Sequence, residues 1–359
     1  NILVAMSGGL ESTLAAIFLK EEGANVIGIT MKLGDTKINF GHTIDSACCT
    51  IDDINDARNV AVSYDFPHYV VDLKEVFEKK VIDNFVDGHF KGSTPNPCIL
   101  CNKEVKWGTL LSYADSLGCK YIATGHYARI KSENDRYYLS RGKDKLKDQT
   151  YFLWALTQEQ LKRTIFPLSE FTKDEVRSIA KDKGLDGLVS KKESSDICFV
   201  GDANYHEFLK IKYPEKIKNL KDGNIIHNGI IIGTHKGYPF YTIGQRKGLG
   251  ISHTEPLYVI RIDADRNEIH VGTKDDLRIN TAILGGVNLQ KIEKLGDSND
   301  LYVKVRSAAA GVEANVFYNA GVYMIDFNVS PKGGLAPGQS AVFYNGDDVI
   351  GGGFITKTF

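Results

Sequence analysis

The sequence lacks a long hydrophobic run, a strong net charge and a rich supply of cysteine. No apolar stretch approaches the roughly 18–20 residues of a membrane span, and no secretion signal precedes the first apolar run, so we expect a cytoplasmic protein without membrane contact. The formal net charge of −1 gives no global sign of nucleic-acid binding, so any basic surface must be local. Six cysteines in 359 residues do not make a disulfide scaffold and suit a reducing compartment.

The chain opens with a strand-like run, a small-residue turn and a helical pattern. Residues 1–6 form a short apolar run, which is typical of a buried parallel strand. From Leu10 onward, apolar residues recur at the spacing of a helix. The turn between them, SGGLEST at residues 7–13, lacks the lysine of a Walker loop and the third glycine of a dinucleotide fingerprint. Glycines at a helix N-terminus let N–H groups approach an anion. The turn is therefore either a phosphate site or an ordinary glycine turn.

Strand and helix patterns alternate through the first part of the chain, which predicts an α/β fold with a doubly wound, mostly parallel sheet. Further strands are expected at residues 26–33, 68–73 and 120–126, and helices at residues 54–64, 75–88, 103–117 and 173–183. Ligands of such sheets bind beyond the carboxyl ends of the strands, where Met31 and Gly125 would join the glycine turn. This convergence favours the phosphate site.

After about residue 204, short alternating runs broken by glycine replace this pattern. The stretch GNIIHNGIIIGTHKGYPFYTIGQRKGLGI predicts hairpins, with a tight turn at Asn228-Gly229. A segment from about residue 273 is also all-β, and a small barrel is its natural closure. We therefore predict a nucleotide-binding catalytic domain at residues 1–203, a small mostly-β central domain at 204–272 and a C-terminal β-barrel at 273–359.

The cysteines fall into separate groups. Cys98 and Cys101 form a CxxC pair in TPNPCILCNKEVKWG, and Cys198 lies in KKESSDICFVGD. Half of a zinc site is one interpretation of the pair, but no second CxxC or CxxH pair follows in the sequence. We expect a structural role for the remaining cysteines, which are Cys48, Cys49 and Cys119.

The SGGLEST turn resembles the SGGxDS loop of the PP-loop ATP pyrophosphatases, which cleave ATP between its α- and β-phosphates. The blocks TPNPCILCNKEVKWG, YIATGHYARI, KDQTYFLWALTQEQL, SSDICFVGD, YTIGQRKGLGI and LAPGQSAVFYNG are similar, in order, to motifs of the bacterial tRNA-specific 2-thiouridylases. Members of that family replace the 2-oxygen of the wobble uridine (U34) of tRNA by sulfur. The resemblance implies a PP-loop ATPase type of first domain, ATP and Mg²⁺ as cofactors, and a monomer. As partners it implies a persulfide donor, such as a cysteine desulfurase or a sulfur-relay protein, and the tRNAs for lysine, glutamate and glutamine.

The same resemblance assigns roles to individual residues. It implies that Cys101 is the catalytic nucleophile and that Cys198 accepts the persulfide sulfur. The ATP site that it implies consists of Met6, Ser7, Gly8, Gly9, Leu10, Glu11, Ser12, Thr13, Met31 and Gly125. The residues that it places against the target base or the tRNA are Asn96, Pro97, Cys98, Lys147, Asp148, Gln149, Arg306 and Ser307.

This chemistry needs an activated oxygen and two thiols. A pyrimidine carbonyl oxygen is a poor leaving group, so its attack on the ATP α-phosphate must first form an adenylate while Mg²⁺ and backbone donors neutralise the pyrophosphate. A persulfide supplies the sulfur, and a second thiol attacks its inner sulfur, which forms a disulfide and releases the outer sulfur as sulfide. One alternative stays open, in which Cys98, Cys101 and Cys198 together hold a [4Fe–4S] cluster with one open iron.

Three positions depart from the family pattern. Glu11 and Glu193 stand where aspartate is usual, and Ser307 replaces the tyrosine of an Arg-Tyr pair that begins at Arg306. Two lysine-rich runs, at residues 141–149 and 210–221, are either phosphate contacts or solvated faces. Two other functions stay open: a PP-loop enzyme that adenylates a small carboxylate or carbonyl, and a tRNA-binding or thiol-redox protein whose loop has decayed.

Overall fold

The computed structural model describes residues 1–34, 50–191, 197–200, 205–296 and 298–359. Cys48, Cys49 and Glu193 lie outside these residues. The chain divides into two compact units. The first comprises Asn1–Val81, Cys98–Ala203 and Asp347–Val349, and the second Ile82–Pro97, Asn204–Gly346 and Ile350–Phe359. The predicted division into three domains stays a prediction. Within the described residues, every helix is too short or too polar to span a membrane.

The elements follow in chain order. Up to residue 116 they are β1 (Ile2–Ala5), α1 (Leu10–Glu21), β2 (Val26–Lys32), α2 (Ile51–Ser63), β3 (His68–Asp72), α3 (Lys74–Phe77), a π-helix (Glu78–Ile82), α4 (Asp83–Phe90), α5 (Pro97–Leu100), a second π-helix (Cys101–Trp107) and α6 (Gly108–Ser116). From there to residue 189 they are β4 (Tyr121–Ala123), β5 (Arg129–Glu133), β6 (Arg136–Ser140), α7 (Gln158–Lys162), β7 (Thr164–Ile165), α8 (Lys173–Asp182) and α9 (Asp186–Val189).

The remaining elements are mostly strands. They are α10 (Tyr205–Lys212), α11 (Pro214–Lys218), β8 (Gly223–His227), β9 (Ile230–His235), β10 (Tyr258–Asp263), β11 (Glu268–Gly272), β12 (Thr281–Leu289), β13 (Asp300–Lys304), β14 (Val312–Asn319), β15 (Val322–Phe327), β16 (Ser340–Asn345) and β17 (Asp348–Thr358). Short 3₁₀ turns occur at Thr150–Phe152, Tyr238–Phe240 and Asp275–Leu277.

A parallel five-stranded sheet in the order β3-β2-β1-β4-β7 organises the first unit. The strand β1 is central, so its residue Ile2 lies between Val26 of β2 and Tyr121 of β4. The helix α1 buries Leu14 and Ile17 completely, which supplies apolar packing next to this central strand. The predicted α/β fold with a doubly wound parallel sheet is confirmed.

Three local features of the first unit differ from the sequence predictions. The helices expected at residues 75–88 and 103–117 each contain a π-helical stretch, at Glu78–Ile82 and Cys101–Trp107. A π-turn adds a residue without changing composition, so the apolar pattern does not reveal it. The hairpin of β5 and β6 was also missed, although its turn residues Asn134 and Asp135 have positive φ angles of 49° and 57°, as Asn and Asp tolerate.

The second unit contains two antiparallel-rich sheets. One has the order β10-β11-β8-β9, with the predicted tight turn at Asn228-Gly229 joining β8 to β9. Both turn residues have positive φ, as a type I′ turn requires, so this prediction is confirmed. The other runs β12-β15-β14-β13-β16-β17 and closes where β17 pairs with β12, which confirms the predicted C-terminal barrel.

Candidate active site

The loop of residues 7–13 joins the central strand β1 to helix α1. The Ser12 hydroxyl accepts a hydrogen bond from the Ser7 amide at 3.0 Å, lies 3.1 Å from the Ser7 hydroxyl, and donates to the Gly9 carbonyl at 3.1 Å. Gly9 is the N-cap of α1, and no side chain caps its N–H groups. The loop is thus a closed ring at a helix N-terminus, where N–H groups and the helix dipole favour an anion.

Two neighbouring segments close tightly on this loop. A Cβ on Gly8, whose φ is +72°, would lie 2.2 Å from the Asp53 carbonyl oxygen at the start of α2. A Cβ on Gly125, after β4, would lie 2.6 Å from the Glu11 carbonyl carbon. The structure therefore brings Gly125 against the predicted ATP loop. Met31 is buried near the end of β2, the neighbour of β1 in the sheet.

Two lysines that the sequence analysis missed contact the loop. Lys173, the buried first residue of α8, forms an ion pair with Glu11. Lys191, shortly after α9, donates to the Gly8 carbonyl at 3.2 Å and pairs with Asp53 at 2.7 Å. Both lysines lie far along the chain from the loop, and no local pattern links them to it. The sequence feature that could have indicated Lys191 is its position as the first residue of the KKESSDICFVGD block, which also contains Cys198.

The charges around Lys191 reinforce one another. Burial lowers the pKa of Lys191, but hydrogen bonds and charge attraction from Asp53 and Asp56 outweigh it, so the net pKa is raised. Burial raises the pKa of Asp53, but hydrogen bonds from Lys191 and Thr50 outweigh it, so the net pKa is lowered. Thr50 and Asp53 also form the capping box of α2. The pair therefore stays ionised around neutral pH.

His126 follows Gly125 at the same edge of the sheet. Its Nδ1 lies 2.6 Å from the Thr124 hydroxyl, and its ring lies 5.6 Å from that of Trp107. Burial, with a smaller effect of the positive charge on Lys106, holds the pKa of His126 well below its usual value. This imidazole is therefore neutral around neutral pH, and it can exchange hydrogen bonds but carries no charge.

Cys101 begins the π-helix that follows α5. It is buried, whereas Cys98 one turn earlier is half-buried. Asn102 anchors this helix by donating to the Phe152 carbonyl at 2.9 Å, and Trp107 donates to the Thr164 hydroxyl at 2.7 Å. One hydrogen bond near each end therefore ties the π-helix that begins with Cys101 to other segments of the first unit.

One helical stretch, Lys74–Ile82, contacts the segments of both predicted catalytic cysteines. Lys80 pairs with Glu104, three residues after Cys101, at 3.2 Å. The Phe77 ring packs edge-on against Phe199, the neighbour of Cys198, with centroids 5.8 Å apart. Cys198 itself is half-buried. Two segments far apart in sequence therefore contact side chains of the same short helical stretch.

The residues before Cys98 belong to the second unit and are held there by the LAPGQ motif. The Thr94 amide donates to the Pro337 carbonyl at 2.7 Å, and the Gln339 side chain donates to the Thr94 carbonyl at 2.6 Å. Farther along this loop, Pro97 is buried and Asn96 half-buried. These contacts fix the base of the loop that carries the predicted target-base residues.

The predicted tRNA residues differ in what they present to solvent. Lys147 is exposed. The Asp148 carboxylate lies 3.4 Å from the Arg141 guanidinium and accepts a hydrogen bond from the Thr150 hydroxyl. The side-chain oxygen of Gln149 accepts a hydrogen bond from the Tyr127 amide at 2.9 Å. The side chains of Asp148 and Gln149 therefore form hydrogen bonds within the protein that stabilise the loop of residues 147–149.

In the second unit, Arg306 donates to the Gly333 carbonyl at 2.8 Å and lies beside Gly244 of the YTIGQRKG block. Its neighbour Ser307 is exposed. The Arg306 guanidinium thus connects the loops of Gly244 and Gly333, next to the exposed Ser307.

Metal-ligand geometry occurs at one place among the described residues. Asp263, Glu268 and His270, on β10 and β11, have donor atoms within 4.8 Å of one another. The Arg261 guanidinium lies 2.9 Å from Asp263 and 3.2 Å from His270. The positive charge next to these three side chains is therefore that of Arg261. The sulfur atoms of the three cysteines considered for an iron–sulfur cluster do not form such a compact group.

Comparison with known proteins accounts for these motifs. Three family models match consecutive parts of the chain: the tRNA methyl transferase HUP domain at residues 1–202, the tRNA methyl transferase PRC-barrel domain at 207–273 and the aminomethyltransferase beta-barrel domain at 282–355. The tRNA-specific 2-thiouridylase MnmA of Amoebophilus asiaticus is 47% identical over 361 residues, which cover 100% of this chain and 96% of that protein. The chain belongs to the tRNA-specific 2-thiouridylase family.

Other comparisons agree with this family or add little to it. The 2-thiouridylase of Cytophaga hutchinsonii is 44% identical over 361 residues, covering 100% of this chain and 98% of that protein. A 4-thiouridine synthetase–RNA complex with bound ATP has a TM-score of 0.35 and 16% identity, covering 59% of this chain and 49% of that one, which is too low to carry an argument. The 2-thiouridylase resemblance seen in the motifs is confirmed.

Proposed function

We propose that the protein is a cytoplasmic tRNA-uridine 2-sulfurtransferase that converts the wobble uridine of tRNA to 2-thiouridine. The reaction uses ATP and the sulfur of a cysteine persulfide, and it gives AMP and pyrophosphate. The observation that carries the proposal is the combination of a hydrogen-bonded loop at the N-terminus of α1 with two cysteine segments that pack on one helical stretch. Membership of the 2-thiouridylase family supports it.

In this proposal the residues of the ATP loop hold the triphosphate. N–H groups at the start of α1 face the phosphates, and Gly125 leaves room for the loop by having no side chain. Mg²⁺ accompanies the nucleotide and would neutralise the departing pyrophosphate. The uridine 2-oxygen attacks the α-phosphate of ATP, and pyrophosphate leaves. In the adenylate that forms, this oxygen can depart from the base as part of AMP, which is a good leaving group.

The two cysteines then move the sulfur. The terminal sulfur of a Cys198 persulfide attacks C2 of the adenylated base, and the C2–O bond breaks as AMP leaves. The Cys101 thiolate attacks Sγ of Cys198, the bond to the transferred sulfur breaks, and 2-thiouridine is released with a Cys101–Cys198 disulfide left behind. In the other order, Cys101 first releases sulfide, which attacks C2. Both routes leave the same disulfide, which a cellular thiol must reduce.

The tRNA side of the proposal rests on two loops. Asn96, Pro97 and Cys98 would meet the uridine after it leaves its stack, because a base that reacts in a pocket must be splayed out. The exposed Lys147 would contact a phosphate. As substrates and donor we propose the tRNAs for lysine, glutamate and glutamine and a cysteine desulfurase or sulfur-relay protein.

The test is a reconstituted reaction with three matched cysteine variants. Wild-type protein, ATP, Mg²⁺, a persulfide donor and unmodified tRNA should give 2-thiouridine and AMP in equal amounts. Cys101→Ser and Cys198→Ser should give no 2-thiouridine while their tRNA affinity changes less than about twofold. The control is Cys119→Ser, because Cys119 is a buried cysteine whose burial raises its pKa and disfavours a reactive thiolate.

Other outcomes would favour the competing functions. Formation of AMP without thiolation would indicate an enzyme that adenylates another substrate, and formation of neither product would indicate a binding protein with a decayed loop. Full activity of Cys198→Ser would refute the persulfide role. Iron and acid-labile sulfide measured on anaerobically purified protein would decide the [4Fe–4S] alternative.

A further inference from the structure

The motif YTIGQRKGLGI forms a loop of the second unit between the 3₁₀ turn Tyr238–Phe240 and strand β10, and the proposed chemistry gives it no role. Gln245 organises this loop from within. Its side-chain oxygen accepts a hydrogen bond from the Thr242 amide at 3.1 Å, and its side-chain nitrogen donates to the Lys247 carbonyl at 3.0 Å. The Val259 amide of β10 donates to the Gln245 carbonyl at 2.9 Å. Gln245 therefore stabilises the loop that carries its two basic neighbours.

Arg246 and Lys247 place two positive charges side by side on this loop. Both residues are exposed, and neither forms an ion pair with a carboxylate of the residues that the structure describes. Another exposed lysine of the same unit, Lys236, does have such a partner, since it pairs with Asp222 at 2.6 Å. The two charges of the loop are therefore available to a bound anion.

The backbone of the same loop supplies hydrogen-bond donors. The amides of residues 246–252 have no hydrogen-bond acceptor within the described part of the chain. Gly248 and Gly250 have positive φ angles of 77° and 67°, and successive amides around left-handed residues form concave sites for anions. Leu249, between the two glycines, is buried with Ile243 in a core of this unit, which holds the backbone in place. The loop therefore presents amide donors beside its two cations.

A cavity of about 370 Å³ adjoins these donors. It is lined by Arg246, residues 248–251 and residues 253–257, most of which are exposed. The cavity is thus a groove at the surface and not an enclosed pocket, which suits one segment of a long polymer. Glu255 is the one carboxylate among these lining residues, so Arg246 and the adjacent Lys247 keep the local charge positive.

We propose that the loop of residues 245–251 binds a backbone phosphate of tRNA, with Arg246 and Lys247 as its cations and the loop amides as further donors. The inference rests on the proposed function, because it takes tRNA as the ligand. A phosphate of a polymer fits better than a small anion, because exposed cations bind weakly one by one and strongly only when many contacts act on the same chain. The contact reads no base, so it serves every tRNA substrate equally.

Salt-dependent binding of unmodified tRNA to the full-length protein tests this contact. Filter binding measures the dissociation constant between about 50 and 300 mM KCl for the wild type, Arg246→Gln, Lys247→Gln and the double variant. Each single variant should weaken binding by about threefold to tenfold and reduce the slope of log K against log salt by about one. The matched control is Arg278→Gln, because Arg278 is an exposed arginine of the same unit that pairs with Asp275 at 2.9 Å. This control should keep the wild-type slope.

Two further variants test the cavity and the backbone separately. Glu255→Gln removes the negative charge beside the loop, so it should strengthen tRNA binding by about twofold to threefold. Gly250→Ala strains the backbone at a positive φ and should weaken tRNA binding about as much as the loss of one cation. Its control is Gly346→Ala, because Gly346 has a φ of +59° and, as at Gly250, a Cβ there meets nothing within 4 Å. Thermal unfolding is recorded for every variant, and the variants of the exposed Arg246 and Lys247 keep the test valid if a glycine variant does not fold.

Two results would overturn the inference. One is a double variant of Arg246 and Lys247 that keeps the tRNA affinity and salt slope of the wild type, and the other is an equal loss of both in Arg278→Gln. If such a double variant has also lost binding of inorganic pyrophosphate, measured by isothermal titration, the loop binds a small phosphate compound and not tRNA. The proposed function fails separately, and the inference with it, if the wild type neither binds nor thiolates tRNA. Normal tRNA binding by the double variant, together with thiolation by the wild type, refutes only the loop contact.

Discussion

The Cα of Gly125 packs against the backbone of Glu11 so closely that a Cβ at residue 125 would lie 2.6 Å from the Glu11 carbonyl carbon and 2.7 Å from the Ser12 amide nitrogen. Both partners are backbone atoms at the start of α1, and backbone cannot move aside as a flexible side chain can. The end of β4 and the loop of residues 7–13 therefore hold each other in place. A change at residue 125 must displace the N–H groups that would face the phosphates.

Replacing Gly125 by alanine should weaken ATP binding. Overpacking of this kind costs about 1–3 kcal/mol, and because the strain falls on the loop we expect ATP affinity to drop by about tenfold or more. Isothermal titration with α,β-methylene-ATP and Mg²⁺ measures the affinity. Gly187→Ala is the matched control, because a Cβ at Gly187 meets nothing within 4 Å. Equal ATP affinities of Gly125→Ala and the wild type would contradict the packing argument.

Shortening or neutralising Glu11 should destabilise the protein through Lys173. The Lys173 side chain is 8% exposed and that of Glu11 28% exposed, so loss of the carboxylate leaves a largely buried ammonium without this partner. We expect Glu11→Gln to lower the free energy of unfolding by about 1–3 kcal/mol. Urea denaturation measures it, and the double variant Glu11→Gln/Lys173→Met should cost less than the sum of the single variants. Strict additivity would show that the pair contributes nothing.

Much of the fold was predictable because its signals are local. Short apolar runs, helical spacing and the Asn228-Gly229 turn each depend on neighbouring residues, and the structure confirms the sheet and the turn. The contacts of Lys173 and Lys191 with the loop could not be predicted in this way, since each joins positions more than a hundred residues apart and either lysine is equally compatible with a solvated surface. The π-helix at Cys101 was hidden for a different reason, because it changes hydrogen-bond spacing and not composition.

Stability should fall in mild acid because of His89. Burial, with a smaller effect of the charge on His206, lowers the pKa of His89 to about 3. The unfolded chain binds a proton near pH 6.5, which the folded protein does not bind until about pH 3, so the free energy of unfolding decreases as pH falls through this window. The slope from this one group is at most about 1.4 kcal/mol per pH unit.

Comparing His89→Phe with the wild type isolates this effect. The phenylalanine keeps a ring beside Phe85 and Tyr205 but cannot bind a proton. Urea denaturation at pH 7.5, 6.0, 5.0 and 4.5 should show a shallower loss of stability in the variant below pH 6.5, and a constant difference between the two proteins above it. Parallel stability curves across the whole range would show that His89 takes up a proton in the folded protein as readily as in the unfolded chain.

Gly338 should be required for thiolation and not for ATP binding. Its φ is +92°, and a Cβ there would lie 3.0 Å from backbone atoms of Thr94 and Pro95, in the loop that runs to Asn96. Gly338→Ala must push this loop away from the LAPGQ motif and so displace the predicted target-base residues.

The control is Gly321→Ala, which has a similar φ of +88° but meets nothing within 4 Å. Both variants carry the backbone cost of about 1 kcal/mol or more, so a difference between them reports the contact alone. We expect the rate of 2-thiouridine formation to fall at least about tenfold in Gly338→Ala only, with ATP affinity unchanged in both, and equal thiolation rates in the two variants would refute the role of this loop contact.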